Sequence, residues 1–161
     1  MPIKVGDKIP DFTFKVPTED GPGDMSTQDL FAGKKVVLFA VPGAFTPTCH
    51  MNHMPGFVAK AGDLKAKGVD TIAVTSVNDP FVMAAWARDS KAGDAVTFLA
   101  DGSGEFVRLV DMVLDASAFG LGVRSHRYAM IVDDGTVSWL GLEENPTQAN
   151  ASSADAVLAA L

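Results

Sequence analysis

The chain has 161 residues, 47% of them hydrophobic, which suits one domain (1–161) with a single sizeable core, and its 13 basic against 20 acidic residues give a net charge of −7. Lys and Arg nowhere cluster, which argues against a nucleic-acid partner; no apolar stretch reaches the ~20 residues that span a bilayer, and MPIKVGDKIP has neither signal- nor transit-peptide character, so a cytoplasmic location without a membrane partner is expected. A single cysteine excludes an internal disulfide, a CxxC motif and a cysteine-rich metal site, and suits a reducing compartment.

In chain order, Phe12–Val16 alternates apolar and polar residues and predicts a half-buried strand, followed by a loop over 18–24 containing Gly21, Pro22 and Gly23 and a short helical turn over Ser26–Leu30. Val36–Val41 is an uninterrupted apolar run, too short for a helix and rich in β-formers, which predicts a strand buried on both faces. Pro42 and Gly43 end it. Thr46 is a good N-cap type, Pro47 suits the first helical position, and the helix so begun meets Pro55, which kinks it before it continues over Phe57–Lys67 to a cap at Gly68. Val69–Val77 predicts a second core strand. Asn78 or Asp79 then caps a helix with Pro80 in its first turn and Phe81, Ala84, Ala85 and Arg88 on one face. A third strand over Val96–Leu99, a turn at 101–104 and a helix over Glu105–Leu109 follow. Tyr128–Val132 and Thr136–Leu140 flank Asp133, Asp134 and Gly135 as an antiparallel hairpin, and Ser152 or Ser153 caps a last helix over Ala154–Leu161. Strands alternating with helices, then a hairpin and a helix, give a mixed α/β sheet covered on both faces.

The chemistry centres on Cys49. In a first helical turn, unpaired backbone N–H groups and the positive end of the helix dipole favour a thiolate. Thr46 can cap that helix, place its hydroxyl beside the sulfur, or do both, and the N–H groups of Gly43 and Cys49 are natural donors. A thiolate in a partly dry pocket also calls for a fixed cation, for which GVRSHRYAM offers Arg124 and Arg127. His50 and His53 invite a Cys/His protease reading, but such a site places its histidine far away in sequence, so both read as supporting or surface residues, and His126 has no evident partner. Phe45, Phe81, Trp86, Phe119 and Leu121 are more aromatic and apolar surface than one small core obviously takes, which points to an interface.

Pro42, Thr46 and Cys49 fit the P-x-x-x-T-x-x-C signature of the peroxiredoxins, and VPGAFTPTC followed by MPGF, with SVNDPFVMAAWA and GVRSHRYAMIVDDG, resembles the subfamily that includes the mammalian atypical and plant type II forms. That resemblance implies a thioredoxin-like fold and a thiol-dependent peroxidase that reduces hydrogen peroxide and organic hydroperoxides through a Cys49 sulfenic acid, with no cofactor or metal. It also implies that Pro42 shields the thiolate, that Gly43, Thr46, Cys49 and Arg127 bind the substrate, with Arg124 the secondary candidate, and that the chain forms a homodimer through this edge of the site. Some relatives carry a resolving cysteine before the last helix; Glu144–Asp155 has none, so glutathione with glutaredoxin, or thioredoxin, is expected to reduce the sulfenic acid. The competing reading is a redox sensor in which Cys49 oxidation alters a partner surface without turnover.

Overall fold

The computed structural model describes Met1–Leu161. Its strands are β1 (Thr13–Thr18), β2 (Gly21–Ser26), β3 (Lys35–Ala40), β4 (Thr71–Ser76), β5 (Thr97–Ala100), β6 (Val113–Asp115), β7 (Val123–Ser125), β8 (Tyr128–Asp133) and β9 (Thr136–Leu142), and its α-helices are α1 (Thr27–Phe31), α2 (Met54–Ala66), α3 (Pro80–Asp89), α4 (Glu105–Leu109) and α5 (Ala154–Ala160). Seven strands form one mixed sheet in the order β2-β1-β5-β4-β3-β8-β9, while β6 and β7 form a small ribbon of their own. The parallel centre, β3-β4-β5, is covered on both faces, which is why successive residues of each strand are buried and β3 is an apolar run rather than an alternating one. Val37 and Phe39 join the core shared with α2, α3 and α5, where the Phe39 ring stacks on Phe57 at 4.0 Å; Val36, Leu38 and Ala40 face α1 and α4. This is the thioredoxin-like arrangement expected from the sequence.

Local signals placed several boundaries well. Ser26 caps α1 through the Asp29 N–H, Asp79 caps α3 through the Val82 N–H, and Ser153 caps α5 through the Ala156 N–H. Three features differ from expectation. The predicted loop over 18–24 is largely strand: β2 pairs with β1 along its whole length, and Pro22 is tolerated because β2 lies at the sheet edge, where an absent N–H costs no ladder bond. On α3 Trp86, expected in an exposed patch with Phe81, is buried beside Met83, whereas Phe81 is 70% exposed. FVMAAWA is apolar nearly all round, so its pattern leaves the helical phase undetermined. The β6–β7 ribbon, with three-residue strands, is too short to show a period.

The helix after β3 opens at Pro47, then widens into a π-helical turn over Cys49–His53 before α2 begins; the Met54 N–H reaches back to the Cys49 carbonyl. Pro55 supplies the reason. It has no N–H to give, and its ring would crowd a carbonyl in a regular turn, so the backbone widens ahead of it instead of kinking at it.

At the far edge, Gly141 of β9 lies directly against the Ala151 carbonyl, and a methyl group there would overlap that oxygen and the Trp139 ring. We expect Gly141→Ala to lower stability by about 2 kcal/mol, measured by urea unfolding, because the Ala151 backbone must shift to admit it. A variant with wild-type stability would mean that this segment is loosely held.

Candidate active site

Tyr128 pairs with Ala40, so Arg127 stands at the start of β8 beside the point where β3 runs into the Pro42 loop. The π turn brings Cys49 to the same place from the other side. The Cys49 sulfur is fully buried, and Arg127 Nη2–H donates to it at 2.9 Å. Arg127 is itself only 2% exposed, and no carboxylate lies within ion-pair distance of it. A guanidinium is always charged, and a buried charge without partners is costly; the Cys49 sulfur is one of the acceptors placed to satisfy it.

A closed circuit of hydrogen bonds fixes the arginine. Its Nε–H donates to the Pro146 carbonyl at 3.1 Å, and Nη1–H donates to His53 Nδ1 at 2.9 Å. The other nitrogen of that imidazole, Nε2–H, donates to the Ser152 carbonyl at 2.8 Å. Ser152 in turn gives both its N–H and its hydroxyl to Glu143 Oε2, each at 2.6 Å, and the Glu143 N–H returns to the Arg127 carbonyl at 3.0 Å. Both His53 bonds require the neutral Nε2–H tautomer. Burial, aided by the positive charge of Arg127 and opposed by the Ser152 carbonyl and Glu143, pushes the His53 pKa down to about 4.

Thr46 occupies the N-cap position, but its hydroxyl caps no backbone N–H. Oγ1 lies 2.7 Å from the Gly43 carbonyl and 2.9 Å from the Cys49 sulfur. One hydroxyl proton serves one acceptor at a time. With the proton on Gly43 O, a lone pair faces the sulfur; with the proton turned, the hydroxyl donates to it. The N–H groups of Gly43 and Cys49 donate to no acceptor within the chain. Pro42 is buried and forms a wall of a cleft of about 480 Å³ whose other sides include Thr46, Leu114, Phe119, Arg127 and Pro146. The arrangement is a buried sulfur under an arginine, a hydroxyl and free backbone donors at the end of an apolar cleft.

The two arginines are thereby separated. Arg127 meets the sulfur, while Arg124, the secondary candidate, does not: its Nε–H donates to the Leu121 carbonyl at 2.9 Å and its guanidinium lies over Gly43. A side chain three residues along from Arg127 starts in the β7 ribbon rather than on the central sheet. His53 is the residue that sequence reasoning undervalued. Its signal was the i, i+4 spacing from Cys49, which puts two helical side chains on one face. His50 binds elsewhere, and His126 makes hydrogen bonds only through its backbone.

Because the unfolded chain takes up a proton near 6.5 that folded His53 refuses until about pH 4, stability falls as pH drops across that window and levels off below it. The expected loss is on the order of 3 kcal/mol, read from urea midpoints against pH, and His53→Gln removes that component. Identical slopes in both proteins would show that His53 is not held neutral.

Comparison with known proteins places the chain in a family. The family model described as Redoxin matches residues 4–158. The chain is 51% identical to Peroxiredoxin-2B of Arabidopsis thaliana over 161 residues, covering 99% of each, and 52% identical to the chloroplastic Peroxiredoxin-2E of the same plant over 158 residues, covering 95% of this chain and 67% of that protein. Among solved structures, reduced Prx3 from Vibrio vulnificus in complex with hydrogen peroxide superposes with a TM-score of 0.92 at 47% identity, covering 98% of each chain. With a buried cysteine, its threonine and its arginine assembled on a thioredoxin-like sheet, the chain belongs to the peroxiredoxin family of thiol-dependent peroxidases.

Proposed function

We propose that the protein reduces hydrogen peroxide and small organic hydroperoxides with Cys49 as the attacking atom, on the strength of the paired contacts from Arg127 and Thr46 to its sulfur, each at 2.9 Å. The thiolate attacks the nearer peroxide oxygen in line with the O–O bond. That bond breaks, sulfur is oxidised to sulfenic acid, and the departing oxygen leaves with the electron pair and takes a proton to become water or an alcohol. Arg127 has donors beyond those it has already committed, and with the free N–H groups of Gly43 and Cys49 these can stabilise the developing charge on the peroxide oxygens. Thr46, with its proton on Gly43 O, accepts the peroxide O–H and so orients it. Pro42 keeps water off the sulfur, and the apolar cleft gives room for the organic part of a hydroperoxide.

Cys49 is the only cysteine in the sequence, so an external thiol completes the cycle: it attacks the sulfenic sulfur, water leaves, and a second thiol releases the mixed disulfide. Glutathione with glutaredoxin, and thioredoxin, are the two candidate donors. Assays of peroxide consumption with each donor system test the whole reading. Catalytic turnover with one of them is expected, and stoichiometric oxidation with all of them would favour the sensor. Cys49→Ser should be inactive yet folded. Arg127→Gln should slow both peroxide reduction and alkylation by iodoacetamide about a hundredfold, more than Arg124→Gln does, and Thr46→Val should slow the peroxide step without loss of helix stability. Equal losses in the two arginine variants would contradict the assignment.

We further propose a homodimer. Phe119 and Phe81 are 83% and 70% exposed and Phe45 is partly exposed, whereas Trp86 belongs to the core and drops out of the patch expected from sequence. Phe119 also walls the cleft, so a second copy covering it would shape the substrate pocket. Phe81→Asp is expected to be monomeric and slower in sedimentation and peroxidase assays; a wild-type monomer with full activity would rule the dimer out.

A further inference from the structure

His50 follows the reactive cysteine and has no part in the chemistry above, yet both of its ring nitrogens are engaged. The fully buried Trp86 donates its Nε1–H to His50 Nδ1 at 3.1 Å, and His50 Nε2 lies 3.2 Å from Asp89 Oδ2, the one charged side chain within ion-pair distance of it. An indole N–H only donates, so Nδ1 is bare and Nε2 carries the proton toward the carboxylate. The imidazole is thus fixed in plane and in rotation by two residues of α3. Beside it lies Phe45, its ring tilted by 38° with centroids 5.5 Å apart, and Phe45 also approaches Trp86 at 6.5 Å.

Phe45 has a backbone φ of 64°, in the left-handed region that is strained for a bulky residue, so its surroundings must hold it there. The next residue is Thr46, whose hydroxyl must stand at 2.9 Å from the sulfur, and the His50 N–H donates to the Thr46 carbonyl at 2.9 Å. We propose that His50 is a positioning residue: locked between Trp86 and Asp89, its ring holds Phe45 in its strained conformation and thereby aims Thr46 at the sulfur.

This rests on the peroxidase reading, and the test separates the two. In steady-state kinetics, His50→Ala and Phe45→Ala should each lower kcat/KM for peroxide about tenfold and leave kcat/KM for the reducing thiol unchanged, since Thr46 acts only in the first half-reaction. The double variant should lose no more than either single one, because both act through one contact. Asp89→Ala, at an exposed surface position that cannot unfold the chain, should lower the peroxide term about threefold. Independently of turnover, the Trp86 indole N–H resonance should move in His50→Ala, which removes its hydrogen-bond acceptor, and move less in Phe45→Ala, which removes only a neighbouring ring. Wild-type peroxide kinetics in His50→Ala, additive losses in the double variant, or equal losses in both half-reactions would overturn the proposal. If the wild-type protein consumed no peroxide, the peroxidase reading would fall, and an indole resonance unmoved in His50→Ala would then overturn the positioning as well.

Discussion

A guanidinium buried at 2% exposure with no carboxylate beside it sets the terms for this molecule. Removing one partner of a buried charge pair costs several kcal/mol, because the survivor is left unsolvated. The fold therefore has to supply acceptors to Arg127, and one of them is the Cys49 sulfur at 2.9 Å. The dependence is reciprocal: the group that positions the sulfur is satisfied by it. The remaining guanidinium nitrogens are satisfied by neutral acceptors, a carbonyl and an imidazole, so the sulfur has no competing anion at this position.

The sheet makes this delivery possible. Antiparallel pairing of β8 with β3 sets Arg127 beside the Pro42 loop, and parallel pairing of β3 with β4 places Asn78, just beyond β4, where its Oδ1 accepts the Ala44 N–H of that loop at 3.0 Å. The π turn adds a wider backbone that carries Cys49 and His53 to the same arginine while leading into Pro55. Each device is local, and their convergence at one end of β3 is a property of topology.

Much of this was legible in the residues. A continuous apolar run marked β3, a β-branched stretch marked β4, and cap residues marked the starts of α3 and α5, because those signals act over one turn or one strand. The lone cysteine at a helix start led to Cys49 directly, whereas giving Thr46 a role beyond capping needed the family signature. Choosing Arg127 over Arg124 needed the family resemblance, since both stand in one short segment and only the sheet register separates them. What stayed hidden was carried through space. Nothing near His53 in sequence announces Ser152 or Arg127, and nothing in GPGDMS competes with the turn signal of its glycines until an edge strand position is available. On α3, near-uniform hydrophobicity concealed which side was core, so by sequence Trp86 groups with the exposed Phe81 although it is buried.

The hydrogen-bonded circuit of Arg127, His53, Ser152 and Glu143 also has an order of assembly. Its members are scattered along the chain, and two of them lie beyond β9. During synthesis Cys49 leaves the ribosome long before the arginine that faces it, and longer still before the segment that steadies that arginine. A nascent chain therefore carries a cysteine without its arginine. The sulfur gains that partner, and the partner its own supports, only when the C-terminal region docks, so completion of the fold and completion of the site are the same event.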